Sequence, residues 1–390
     1  MKFRCERDSL VETLTTAGRA ASTRGTTSMA LGGVYVSVAA NELTATGTDR
    51  DLTISVTSEV IGIDDGAMVA PARLLVDVVR SLEPGAVTIE SSDDRAEIAA
   101  ARSHFSLQTF ALEEFPVPEE PPAPSTSLPA RALLDAVRQV VRAASTDDAR
   151  PLLTGVLVAS EGEGIRLVAT DSYRLALRDL PVSGPVLDAA HILVPARALA
   201  ELQRVPGVAQ LAEGGNHAPA AFEDGSAAER DHAPAGIGIS FSGHDMTFTA
   251  GRVRISTRLL DGTYPEYGQL IPPSYPNRLH VGKDSLLDAL RRVRLLVRDN
   301  TTPVRLSMRQ GGVDLTVVSQ EIGDASETVD ADFDGTDLTV AFNPAYLIDG
   351  VEAVPGDEVV VLTTDASKPA TVRAADDTEF QYLLMPVRVS

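Results

Sequence analysis

Four sets of arginines carry most of the chemistry legible in this 390-residue chain. Arg73 and Arg80 stand seven residues apart, as do Arg197 and Arg204. Arg131, Arg138 and Arg142 recur at offsets of seven and four, and Arg291, Arg294 and Arg298 at three and four. On an α-helix those offsets place each set on one face. A row of guanidinium groups suits phosphate oxygens, which accept charge-assisted hydrogen bonds and position a nucleic acid without reading its sequence. Arg24, at the end of the first helical stretch, joins the same group.

Bond-making chemistry is poorly represented. The patterns G-x-x-x-x-G-K-[ST], G-x-S-x-G, H-E-x-x-H and G-x-G-x-x-G do not occur. A hydrolase would rest only on His104, His191, His217, His232, His244 and His280, which are scattered, none of them placed beside a suitable Ser and Asp for a triad. His217 and His232 lack the spacing that defines a metal site. The single Cys5 excludes a disulfide framework and a cysteine-based zinc site, and reads as a small core residue of the first strand. The expectation is a protein without catalytic residues, cofactor or metal.

The formal net charge of −21 argues against nucleic acid as a whole-chain property. Its distribution argues the other way. Over residues 282–298 Lys283, Arg291, Arg292, Arg294 and Arg298 outnumber Asp284 and Asp288, and over 128–145 Arg131, Arg138 and Arg142 outnumber Asp135. The basic charge thus sits on the stretches with helical periodicity. Solvated helix faces with intrahelical pairs such as Arg131 with Asp135 are the plainer account of any one helix, and repetition at one offset on three helices weighs against it.

Those helices begin with a repeated phrase. Pro71-Ala72-Arg73, Pro129-Ala130-Arg131 and Pro195-Ala196-Arg197 open three copies, and Asn343-Pro344-Ala345-Tyr346 a weaker fourth. Proline is tolerated in a first turn, where its missing N–H has no partner to lose. Behind it, Leu133, Leu134, Val137, Val140 and Val141 recur at helical spacing; residues 6–24 and 284–298 behave alike, with Leu286, Leu287, Leu290, Val293 and Val297 inward in the latter. Six helix starts, near residues 7, 72, 130, 196, 284 and 345, are evenly spaced except after 196, where an insertion is required. Between them the chain alternates as strands do, at 34–38, 43–46, 52–56, 87–90, 96–100, 105–110, 155–159, 165–170, 174–177, 304–308, 313–318 and 328–331. Thr48-Asp49 and Thr170-Asp171 precede the third strand of the first two meanders.

The fold class is therefore α+β: three repeated domains, each of two helices and antiparallel sheets. About 100–200 residues per domain fits that number. The proline-rich segments 115–124 and 270–276 read as stiff linkers, giving domains at 1–119, 125–271 and 277–390. The acidic Ala/Gly/Pro stretch 211–236 reads as a disordered insertion in the second. No run of 18 apolar residues and no signal peptide occur, which points to a soluble cytoplasmic protein. With 4% aromatic residues and no Trp, its cores must be built from Val, Leu, Ile and Ala.

Met1-Lys2-Phe3, Val69-Ala70-Pro71-Ala72-Arg73, Arg102-Ser103-His104-Phe105, Arg150-Pro151-Leu152-Leu153-Thr154-Gly155, Ala169-Thr170-Asp171-Ser172-Tyr173-Arg174, Leu260-Asp261-Gly262-Thr263-Tyr264-Pro265 and Tyr382-Leu383-Leu384-Met385-Pro386-Val387-Arg388 follow one another in a specific order. In that order the chain resembles the bacterial DNA polymerase III beta subunit, the DNA sliding clamp, over nearly its whole length. The resemblance implies two protomers closing head to tail into a ring, helices inward, that encircles duplex DNA and tethers polymerase. It implies that Arg24, Arg73, Arg80, Arg138, Arg142, Arg197, Arg204, Arg291, Arg294 and Arg298 face DNA.

It also implies a partner-peptide pocket of Arg150, Leu153, Thr170, Ser172, Tyr173, Arg174, Leu175, Pro265, Gln269, Leu270, Asn343, Tyr346, Leu383, Met385, Pro386 and Val387. The dimer contact would be Leu75, Val79, Phe105 and Leu107 against Leu295 and Leu296. Partners would be duplex DNA, the polymerase III alpha subunit, the clamp loader and other proteins carrying the clamp-binding motif, at the nucleoid and not at a membrane. Gly268-Gln269 stands where many members are basic, which leaves a second reading open: a specialised paralogue serving as a peptide scaffold or inhibitor sink without a role on DNA.

Overall fold

The computed structural model describes residues 1–22, 28–92, 94–162, 164–182, 191–205, 208, 236–298 and 302–388. Arg24 and the insertion lie outside them, except that Gly236 opens a strand. The six expected helices are present: α1 (Arg7–Gly18), α2 (Ala72–Ser81), α3 (Ala130–Val140), α4 (Ala196–Arg204), α5 (Lys283–Val293) and α6 (Pro344–Ala353).

Each starts within a residue of the position read from periodicity, but the prolines do a different job. Pro71, Pro129 and Pro195 are the last residues of strands Gly66–Pro71, Thr126–Pro129 and His191–Pro195, and the helix begins one residue later. Lacking an N–H, proline ends the ladder and hands the chain to the helix. Only α6 has proline in its first turn; there the Asn343 side chain caps it, accepting from the amides of Ala345 at 2.9 Å and Tyr346 at 3.3 Å.

The chain divides into two compact units. The first holds Met1–Leu134 and Glu201–Leu259, the second Asp135–Ala200 and Leu260–Ser390. The first contains a five-stranded sheet and an eight-stranded one, both antiparallel. In the larger, Val253–Arg258 pairs with Leu52–Glu59, Ile255 opposite Ile54, so the strands of two repeats form one sheet. The second unit is a twelve-stranded sheet in which Arg174–Pro181 pairs with Phe380–Leu384, Leu175 opposite Leu383. Arg178 reinforces that seam with Asp377 at 2.7 Å and Glu379 at 2.9 Å. Main-chain ladders satisfy edge groups that a separate repeat would leave open.

The linkers are packed at their ends. Phe115 is buried and stacks on Tyr35 at 5.6 Å between centroids, so the first connector starts only beyond it. Leu270 and Ile271 lie against the core of the second unit. Cys5 is half-buried in its strand, and burial pushes its thiol up to about 12, which makes it inert at neutral pH.

Two helices end sooner than their apolar spacing suggests. Residues Val141–Ala143 and Arg294–Leu296 form 3₁₀ turns after α3 and α5, and Val297 is extended. Arg142 and Arg298 are therefore off the regular helix faces assigned by spacing, because the tighter turn rotates side chains by a different angle per residue. The first helix stops at Gly18, well short of residue 24.

Gly47 marks a close helix–strand approach in the first unit, since a Cβ there would stand 2.1 Å from the carbonyl oxygen of Ala17 in α1. Gly47→Ala should destabilise by about 1–3 kcal/mol through forced backbone displacement, read as a lower thermal midpoint; an unchanged midpoint would mean that α1 is not held at that distance.

Candidate functional site: a lined pocket and basic helix faces

The second unit carries a small open depression lined by Thr170, Ser172, Arg174, Leu175, Leu270, Leu383 and Met385. Three chain segments build it. Strand pairing brings Leu175 beside Leu383, the amide of Met385 donates to the carbonyl of Tyr173 at 2.9 Å, and Leu270 packs over a core that includes Leu153, Leu175, Tyr264 and Leu383.

A tight turn supplies the polar rim. Asp171 Oδ1 accepts from the amides of Tyr173 at 2.9 Å and Arg174 at 3.0 Å, an Asx turn. The Thr170 hydroxyl accepts from the Ser172 amide at 3.1 Å and donates to the Arg174 carbonyl at 2.6 Å. Ser172 adopts φ +79°, and the turn hydrogen bonds hold it there. Arg150 closes the outside, its Nη1 donating to the Asp171 carbonyl at 3.2 Å and Ser172 Oγ at 3.3 Å.

Arg174 is the hub. Its side chain is only 10% exposed, yet its Nε meets Asp171 at 3.0 Å, its Nη1 meets Asp349 on α6, and Nη1 also donates to the Tyr382 hydroxyl at 3.3 Å. The Tyr382 hydroxyl passes its own proton to the carbonyl of Tyr346 at 2.9 Å. Burial opposes the charge on Arg174, but Tyr382, Asp349 and Asp171 outweigh it and raise its pKa further. Its guanidinium lies over the Tyr346 ring, 4.3 Å from the centroid, and Tyr346 stacks with the 60% exposed Tyr173. An almost wholly apolar lining of Leu175, Leu270, Leu383 and Met385, with Thr170, Ser172 and Arg174 at its margin, suits an extended segment with several apolar side chains and a polar one at the edge.

Arg73, Arg80, Arg138, Arg197, Arg204 and Arg291 lie at exposed helix positions, and Arg142, Arg294 and Arg298 are exposed just beyond the ends of α3 and α5; several stand against carboxylates. Arg73 and Arg80 flank Asp77 at 3.8 and 3.9 Å on α2. On α3, Asp135 pairs with Arg138 at 2.9 Å, not with Arg131. Arg204 meets the buried Glu201 at 2.8 Å, Arg142 meets Glu352 at 2.6 Å, and Arg291 meets the same Glu352 at 2.9 Å. Arg294 and Arg298 are exposed, and Arg197 lies on an exposed position of α4.

Family models for the N-terminal, central and C-terminal domains of the DNA polymerase III beta subunit match residues 1–119, 127–211 and 268–388. A beta sliding clamp from Streptomyces coelicolor is 33% identical over 398 residues, covering the whole of both chains. The chain belongs to the bacterial DNA polymerase III beta subunit family, the sliding clamps. A DNA polymerase sliding clamp structure from Bacillus subtilis superposes with a TM-score of 0.85 at 28% identity, and a Bartonella birtlesii clamp bound to griselimycin with 0.87 at 27%; each alignment covers both chains entirely. The family consists of processivity factors without a catalytic site, with DNA and polymerase as partners. No helix among the described residues is long and apolar enough to cross a membrane.

Within this sliding-clamp chain the other residues singled out from sequence fall as follows. Pro265 and Gln269 are exposed and outside the pocket lining, and Leu153 lies in the core beneath it. Asn343 is occupied as the α6 cap. Pro386 and Val387 are half-buried, and Val387 is fixed by its amide to the Ala341 carbonyl at 2.8 Å. Leu75 and Val79 are a correction: both are fully buried in their own unit, because the α2 stripe that carries them packs chiefly on α1, so they present no surface to another protomer. Leu107 is nearly buried, Leu296 half-buried, Phe105 37% and Leu295 82% exposed. Sequence reasoning missed Asp171, Asp349 and Tyr382 as site residues. The repeat of Thr48-Asp49 at Thr170-Asp171 signalled the first; nothing local signalled the other two, which act across long chain separations.

Asp171→Ala removes a buried ion-pair partner and the one oxygen that accepts from both turn amides, and should destabilise by about 3 kcal/mol. Asp171→Asn keeps an acceptor oxygen and should lose about half of that. Thermal melts ranking Asn at or below Ala would show that the turn does not depend on those hydrogen bonds.

Proposed function

We propose that two copies of this chain close head to tail into a ring around duplex DNA, with domains at 1–119, 125–271 and 277–390 contributing their helices to the hole. The observation that carries the inward orientation is in the second unit. Strand Gly323–Asp334 packs Val329 inward beneath α5, while Asp324, Asp330, Asp332 and Asp334 are exposed on the other face of the pleat. Arginines on the helix side and carboxylates on the sheet side would attract a phosphate backbone to one face and repel it from the other. Strand Ser103–Gln108 ends its sheet, so its open edge, with Phe105 exposed, is available to a second protomer offering the exposed Leu295.

Binding to DNA is sequence-independent and electrostatic in this reading. Arg73, with its side chain 97% exposed, and Arg294 are best placed to exchange water for phosphate, and Arg24, Arg80, Arg138, Arg142, Arg197, Arg204, Arg291 and Arg298 extend the set. Affinity should fall with salt at a slope of about −0.9 per phosphate neutralised. Reversing Arg73, Arg197 and Arg294 together to Glu should reduce retention on circular duplex without altering the dimer mass by light scattering. Retention equal to wild type would remove the basic faces from the mechanism.

The depression around Arg174 serves the partners: the polymerase III alpha subunit, the clamp loader and other proteins at the nucleoid that present a clamp-binding motif. A Gln followed by apolar anchors matches donors beside Leu175, Leu270, Leu383 and Met385. That a similar clamp has been solved with griselimycin supports a ligand site on this fold. Met385→Ala should weaken a labelled peptide of that composition by about tenfold, in line with losing a buried anchor, and unchanged anisotropy would place the peptide elsewhere. That its relatives are sliding clamps favours this reading over a scaffold that does no work on DNA.

A further inference from the structure

The pocket and the basic helix face are joined by an unbroken row of charges. Arg174, which lines the pocket, holds Asp349; Asp349 stands 3.6 Å from Arg142; Arg142 meets Glu352 at 2.6 Å; and Glu352 meets Arg291 at 2.9 Å. Both carboxylates belong to α6, three residues apart, and so share one face. They are about a third exposed, whereas Arg142 and Arg291 are about half exposed at the solvent end of the row. Arg174, Arg142 and Arg291 share these two carboxylates, while Asp171 also meets Arg174 and Asp288 lies 3.7 Å from Arg291.

The helix that carries the carboxylates is fixed at both ends. Tyr382 holds the carbonyl of Tyr346 near its start; Gln139 donates to the carbonyl of Ala353 at 3.1 Å and Lys283 to that of Val354 at its end. With the helix held, exchange of partners among the side chains is the remaining freedom. Burial would lift the Glu352 pKa, but Arg142 and Arg291 outweigh it and hold it below the usual carboxylate range, so the charge persists at neutral pH.

We propose that Asp349 and Glu352 are shared counter-ions that couple the pocket to DNA, so that a peptide drawing on Arg174 weakens the hold of Arg142 and Arg291 on phosphate. The inference rests on the reading of the pocket as a peptide site and of those two arginines as phosphate contacts. When a peptide carbonyl or carboxylate accepts from Arg174, Asp349 loses its closest partner and turns to Arg142. Glu352 is then released toward Arg291. Both outer guanidinium groups become better neutralised and less available to DNA. Linkage requires the reverse as well: phosphates that take Arg142 and Arg291 return Asp349 to Arg174 and weaken the peptide by the same factor.

The ring-forming full chain is titrated with a labelled short duplex, with and without a saturating peptide of one Gln followed by apolar anchors, and with the labelled peptide, with and without saturating duplex. In wild type each ligand should weaken the other by about two- to fivefold, the range expected of partly exposed ion pairs. Asp349→Asn should bring that ratio to one whatever it does to either affinity alone, and Asp349→Glu should restore it. Independent binding of the two ligands to wild type, mutual strengthening, or an unchanged ratio in Asp349→Asn overturns the relay while leaving both sites intact. Failure of wild type to bind either ligand overturns the relay together with the site reading beneath it. The wild-type ratio decides the matter even if the Asn variant does not fold.

Discussion

A guanidinium group with a tenth of its side chain exposed must be answered on every side, and the architecture of the second unit follows from how Arg174 is answered. Removing a charge from water costs several kcal/mol unless hydrogen bonds and counter-charges replace the solvent. Asp171 comes from the adjoining turn, Asp349 from a helix far along the chain, and Tyr382 from the strand that pairs with that of Arg174. One side chain thus ties turn, helix and sheet seam together. Arg174 also reaches the margin of the pocket, so the side chain that orders the unit borders its apolar lining.

The comparison between repeats shows how little local change this required. In the first unit the Thr48 hydroxyl accepts from the Arg50 amide at 3.1 Å, Asp49 accepts from those of Asp51 and Leu52 at 3.1 and 2.9 Å, and Arg50 adopts φ +83°. The turn at Thr170 repeats each of these features. Where the second copy places Arg174, the first places Leu52, which is buried in the core. The turn is common scaffold; replacing an apolar side chain by a guanidinium at its fourth following position converts packing into a site, provided Asp349 and Tyr382 are there to receive the charge.

What was readable in the sequence follows the range of the interaction. Helix positions were readable because the apolar spacing at Leu133, Val137 and Val140, or Leu286, Leu290 and Val293, reports a local burial pattern. The strands that run into the helices were not, because Pro71, Pro129 and Pro195 signal a helix start and a strand end equally well. Spacing alone places Arg142 and Arg298 on helix faces that the chain leaves where α3 and α5 tighten into 3₁₀ turns, and a stripe such as that of Leu75 and Val79 gives no sign of which layer it meets. The pocket lining was legible by resemblance to sliding clamps. Asp349 was not, since its role exists only once two distant segments share a sheet.

The same economy of weak contacts explains how an acidic chain works on a polyanion. Arg73, Arg80, Arg138 and Arg291 each stand beside a carboxylate of their own helix, at distances from 2.9 to 3.9 Å. Exposed pairs of this kind are worth about 0–1 kcal/mol each, enough to bias side-chain direction and too little to prevent exchange for phosphate. A ring retained by closure has no need of strong individual contacts, and strong ones would oppose movement, because every contact must break as the duplex advances. In the proposed ring, arginines paired in this way would make only shallow contacts with phosphate, and the exposed aspartates of Gly323–Asp334 would disfavour DNA on their face of the sheet. The net charge of −21 is then no obstacle to a DNA-encircling mechanism, since what matters is the local balance on the helix faces and not the sum over the chain.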